Sequence, residues 1–212
     1  MPNILGRQHN VESEYWLRQY KRNGIPLDCE RAYFYCLNKL IVYYKELIGE
    51  IIKDNDGVIE FPMQTSLIEN YLSGYQIQYF GFYGKAKDLS GYWESDEEDN
   101  SIVRIFYNTN ATFERQRFTI IHELFHFCQS LDIKIQDYFD GLIVNSTLPK
   151  DVVVNLIEKA TDKATAMYLM PNKYFEKKYY EVKDVQTLSD YFQVSAPSII
   201  YRIKECGLPI LQ

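Results

Sequence analysis

Only three histidines occur in the 212 residues, and two of them stand four apart in His122-Glu123-Leu124-Phe125-His126. On an α-helix that spacing differs by about 40° in direction, so both imidazoles can reach one metal ion. Glu123 lies about 100° round from His122, where its carboxylate can reach a water beside the metal. HExxH on a helix is the spacing of a zinc hydrolase whose Glu acts as general base. Two ordinary histidines on a buried helix form the competing reading. Ile120, Leu124, Phe127 and Leu131 fall opposite the histidines, with Ile121 and Cys128 beside them. That stripe is expected to bury and to leave the imidazoles facing a cleft. Cys128, about 160° from His126, is poorly placed as a ligand.

Two His need a third protein ligand and an open position for water. The segment Asp151 to Met170 reads as a helix stopped by Pro171. It is apolar or small except for Glu158, Thr161, Asp162 and Thr165 at i, i+3, i+4, i+7. A polar stripe on such a helix must face partners or water. Glu158 as a metal ligand meets that demand, and Asp162, one turn later, could accept a ring N–H of His122 or His126 and fix its tautomer. A solvent-facing stripe is the alternative.

The elements that must position these residues follow from periodicity. Residues 1–30 are polar with turn signals at Asn23-Gly24 and Pro26 and read as an extension. Glu30 to Lys53 has helical spacing, and a shorter helix fits Thr65 to Leu72. Three short segments, YQIQYFGFYG, SGYWES and SIVRIFYN, read as strands of a small antiparallel sheet. The acidic run Glu94 to Asp99 between the last two reads as a solvated loop, with a calcium site or a dock for basic peptide as alternatives. A helix over Phe113 to Leu131 carries the histidines, and Val185 to Gly207 reads as two short helices around Gln193-Val194-Ser195. The expected class is α+β, with a three-stranded sheet on helices and a C-terminal helical pair. The expected units are an extension (1–30), a catalytic domain (31–178) and a helix-turn-helix-like subdomain (179–212).

Composition narrows the function. A chain 46% hydrophobic can bury a core, and a net charge of −6 argues against a protein that lives on nucleic-acid backbone. Cys29, Cys36, Cys128 and Cys206 are scattered and read as reduced thiols. No apolar run is long enough to span a membrane, and the first residues do not read as a signal peptide, so the expected location is cytoplasmic.

Phe118-Thr119-Ile120-Ile121-His122-Glu123-Leu124-Phe125-His126, then Glu158-Lys159-Ala160-Thr161-Asp162 and Leu169-Met170-Pro171, resemble the ImmA/IrrE metallopeptidase family. That family carries RFTxAHELGH and then E-x-x-A-[ND]-x-F-A-x-x-LLMP. Arg117, the strand Ile102 to Asn108 and the tail from Leu188 to Leu208 extend the likeness over about residues 60–210. The resemblance implies a zincin-like, gluzincin-like fold, Zn²⁺ held by His122, His126 and Glu158, Glu123 as catalytic base, and helix-turn-helix repressors as protein substrates. Phe125 stands where the family has Gly, Thr161 where Ala is common and Ala164 where Phe is common. A ring at 125, about 60° from His122, is expected to narrow the cleft.

Two other functions compete: a DNA-binding module built on LSDYFQVSAPSIIYRIKECG, and a structural zinc site. The tail's charge argues against the first, since Glu205 offsets Arg202 and Lys204; a buried Glu123 beside a closed site would be an unexplained cost of the second. The peptide substrate is expected to add as a β-strand along Ile102, Val103, Arg104, Ile105, Phe106 and Tyr107, which lead directly into the metal helix.

Overall fold

The computed structural model describes residues 27–57, 59–85, 89–138 and 150–210. Helix α1 (Leu27–Asp54) buries Leu40, Tyr44, Leu47 and Ile51, the apolar positions that recur every three to four residues. The extension expected over 1–30 lies outside the described residues up to 26, and α1 already begins at Leu27. A short helix, α2 (Ser66–Tyr71), follows.

Three strands come next: β1 (Gln76–Phe82), β2 (Gly91–Ser95) and β3 (Ile102–Asn108). Their order is β1-β3-β2. β2 and β3 form an antiparallel hairpin across the acidic turn, with Gly91 opposite Tyr107. β1 runs parallel to β3, from Gln76 opposite Ile102 to Phe82 opposite Asn108. The sheet is therefore mixed rather than wholly antiparallel, with β3 paired between β1 and β2.

This order overturns one expectation. Both hydrogen-bonding edges of Ile102, Val103, Arg104, Ile105, Phe106 and Tyr107 are taken by β1 and β2, so no substrate strand can add there. Among the described residues the open edges belong to β1 and β2.

Helix α3 (Phe113–Leu131) is capped by the Thr112 side chain, which accepts the Arg115 N–H. It packs on β2 and β3 and against α4 (Lys150–Leu169), and α4 packs in turn on α1. Gly91 makes the β2 approach possible, since a Cβ there would collide with the Thr119 side chain and the Phe106 carbonyl. Burial on α3 is broader than one stripe. Every residue from Ile121 to Gln129 is buried, the histidines included, whereas Leu131 is exposed. Packed between the sheet and α4, the middle of α3 carries no exposed residue.

After Pro171 the chain forms α5 (Asn172–Val182), which the sequence reading missed although Phe175 and Tyr179 mark its buried face. The boundary expected at 178 falls inside this helix. α6 (Val185–Phe192) and α7 (Ala196–Glu205) form the anticipated pair, with Ser195 capping α7. The fold is α+β, and no described helix is long and apolar enough to cross a membrane.

Candidate metal centre

His122 and His126 stand on successive turns of α3 with their Nε2 atoms 2.9 Å apart. Glu158 reaches them from α4. Its Oε2 lies 3.2 Å from His122 Nε2 and its Oε1 3.3 Å from His126 Nε2. One ligand atom from each of the three lies within 4.8 Å of the others. Bonds of about 2.0–2.2 Å in a tetrahedron place ligand atoms about 3.3 Å apart, so two nitrogens and a carboxylate oxygen at these separations suit a zinc-like ion. The donor set is borderline-hard N and O, which also suits zinc over calcium or magnesium.

The surroundings are low in water. His122, Glu123 and His126 are all buried, while Glu158 keeps part of its carboxylate accessible. Burial favours neutral His122, but Asp162 and Glu158 outweigh it and hold this imidazole charged up to about 10. For Glu158, burial pushes the carboxyl upward, and the two histidines more than reverse that, leaving it well below the usual carboxylate range. Without a metal, then, the cluster is a buried imidazolium–carboxylate pair. Asp162 Oδ1 sits 3.1 Å from His122 Nδ1, an ion-pair contact rather than a formed hydrogen bond. The Nδ1 of His126 is buried with no partner among the described residues.

Cys128 lies outside the cluster, and burial pushes its thiol up to about 12. Phe125 fills core rather than open space. Its ring is wholly buried between Tyr44 of α1 (5.8 Å between centroids) and Tyr168 of α4 (5.7 Å). Beneath it, the Tyr44 hydroxyl donates to Gln129 Oε1 at 2.6 Å and lies 2.8 Å from Thr161 Oγ1. Sequence reasoning missed this buried polar link between α1, α3 and α4. A Tyr at the centre of an apolar helix, 85 residues from its partner, carries no local signal.

Arg117, one turn and a half before His122, is a second feature of this kind. Its guanidinium donates to the Phe192 and Gln193 carbonyls, each at 3.1 Å, and to the Met63 carbonyl, tying the start of α3 to the end of α6.

Residues 73–204 match the Peptidase M78 family model, described as the IrrE N-terminal-like domain. The chain belongs to this family. Its metallopeptidase-type function therefore rests on a match over more than half the chain, together with a His-His-Glu cluster able to hold a metal. No curated protein matches the chain closely. Among solved structures, a Mycobacterium tuberculosis transcriptional regulator aligns with a TM-score of 0.52 at 12% identity. The alignment covers 91% of this chain and 51% of that one, so the chain spans about half that protein's length, and the likeness is one of fold.

Proposed function

We propose that the chain is a zinc-dependent metallo-endopeptidase that cleaves a protein substrate, a helix-turn-helix repressor. The observation that carries this reading is the convergence of His122, His126 and Glu158 from two helices, with Glu123 buried beside them. Zinc held there would supply Lewis acidity toward the scissile carbonyl and lower the pKa of water toward about 7. Glu123 takes the proton of the attacking water and delivers it to the departing amine nitrogen. Asp162, paired with His122 at Nδ1, favours a proton on that nitrogen and leaves Nε2 to the cluster. Among the described residues three protein ligands converge, rather than four, which supports a catalytic over a structural role.

An extended substrate would pair with the outer edge of β2, the open edge of the strand that packs on α3. Against the DNA-binding alternative, Arg202 of the C-terminal pair is buried on the Met170 carbonyl, Asn172 and Glu205, which withdraws it from phosphate.

The test is Glu123→Gln against a co-expressed repressor, with metal content measured on the same preparations. The variant is expected to retain about one zinc per chain and to lose hydrolysis, because an amide keeps the size but takes no proton. Comparable turnover by the variant would remove Glu123 from the role of base, and wild-type protein purified without zinc would remove the whole reading.

A further inference from the structure

The outward face of the sheet takes no part in the metal centre, yet it is organised. Val103 and Ile105 point into the core, and the period of two turns Arg104 and Phe106 to the other side. Register then sets Phe80, Phe106 and Tyr92 abreast across all three strands. The rings of Phe80 and Phe106 stack at 5.3 Å and those of Tyr92 and Phe106 at 4.5 Å, nearly parallel at 6°. This ladder is open to solvent at its β1 end, where Phe80 is 41% exposed.

The next rung, Gln78–Arg104–Glu94, leads into the acidic turn. There Asp96 accepts the N–H groups of Glu98 and Asp99 and pairs with Arg104, and Asp99 accepts the N–H and hydroxyl of Ser101. Those bonds hold both carboxyls below their usual range and commit them to building the turn. Glu97 and Glu98 stand exposed on it, with Glu94 beside them. Arg104 is already satisfied by Asp96 and by Glu94 at 4.0 Å, so it does not offset the exposed pair.

Aromatic faces and carboxylates attract the same chemistry, a planar or compact cation. Phosphate backbones are repelled by the same carboxylates. We infer that this face docks a Lys/Arg-rich segment of a protein partner, whose side chains lie against the exposed outer ring of Phe80 at the end of the ladder and reach Glu94, Glu97 and Glu98. The surface is continuous with β2, the strand whose outer edge is proposed for the scissile segment. Calling that partner the substrate rests on the peptidase reading; the docking itself does not.

The experiment uses the full chain as Glu123→Gln and reads fluorescence anisotropy of a labelled nona-arginine peptide at low salt. Charge reversal by Glu97→Lys with Glu98→Lys is expected to weaken binding by about tenfold or more. Phe80→Thr is expected to weaken it by about two- to fivefold. Glu46→Lys with Glu181→Lys makes the same charge change on α1 and α5 and is expected to stay within about twofold. Equal loss from both charge reversals would overturn the proposal, as would an unchanged Phe80→Thr that retains its fold. Tighter binding of a labelled oligothymidylate would reassign the face to nucleic acid, and a dimer lost in Phe80→Thr would reassign it to a second copy; either outcome overturns the docking of a basic segment. The readout involves no hydrolysis, so a failed peptidase reading leaves it standing, and its own failure leaves the metal centre untouched.

Discussion

At the scale of single residues, the metal centre was readable because its chemistry is local. His122 and His126 share a helix face by spacing alone, and Glu158 is betrayed by a polar stripe on an apolar helix. Phe125 shows the limit of such reading, because angle around a helix says nothing about which neighbour fills a direction. Its ring is a wedge between Tyr44 of α1 and Tyr168 of α4. Phe125→Ala should therefore cost about 3–5 kcal/mol in a urea melt, as an emptied core site does, while zinc stoichiometry stays at one. His122 gives a second prediction. Its folded pKa of about 10 exceeds the unfolded value near 6.5, so its stabilisation of the metal-free protein is full below about 6.5 and fades as pH rises to about 10. The melting temperature of metal-free protein should fall from pH 7 to 9 through this group, and Glu158→Gln should flatten that fall. Because zinc must displace the same proton, its apparent affinity should rise across pH 6 to 8.

Among elements, periodicity located the strands and most helices, but strand order was out of reach. Local sequence records which residues alternate, whereas order in a sheet depends on pairing between strands distant in the chain, and here β3 pairs with both β1 and β2. The substrate edge moves accordingly. In the β2–β3 ladder, Asp96 donates to the Ile102 carbonyl and Asn108 to the Ser90 carbonyl, which makes 90, 92, 94 and 96 the inward-bonding positions. The N–H of Ser95 therefore points away from β3, toward the outer edge of β2. Ser95→Pro removes one such donor without breaking a ladder bond, so it should impair peptide cleavage and leave zinc content and fold intact. Glu94→Pro removes an inward donor and should instead destabilise the hairpin. Cleavage unaffected by Ser95→Pro in a folded protein would place the substrate elsewhere than on this edge.

For the molecule as a whole, the metal centre is also a joint. α3 brings two ligands and the roof of sheet above them; α4 brings the third and carries α1 on its other side. The two helices are already joined by the Phe125–Tyr168 contact and the Tyr44–Gln129–Thr161 link, so the metal-free chain is expected to fold. An ion that binds only the folded state then adds stability by mass action, about 4 kcal/mol at a free concentration a thousand times its Kd. For a chain of this length each kcal/mol moves the melting temperature by about 2–4 °C. Chelation should thus lower the melting temperature by roughly 10 °C without abolishing the cooperative transition, and added zinc should restore it. Glu158→Ala should melt at one temperature whether or not chelator is present, since it removes the only ligand that α4 contributes to the cluster. A wild-type melting curve indifferent to chelator would mean that the two helices close without an ion, and that the buried imidazolium–carboxylate pair is the cluster's resting state.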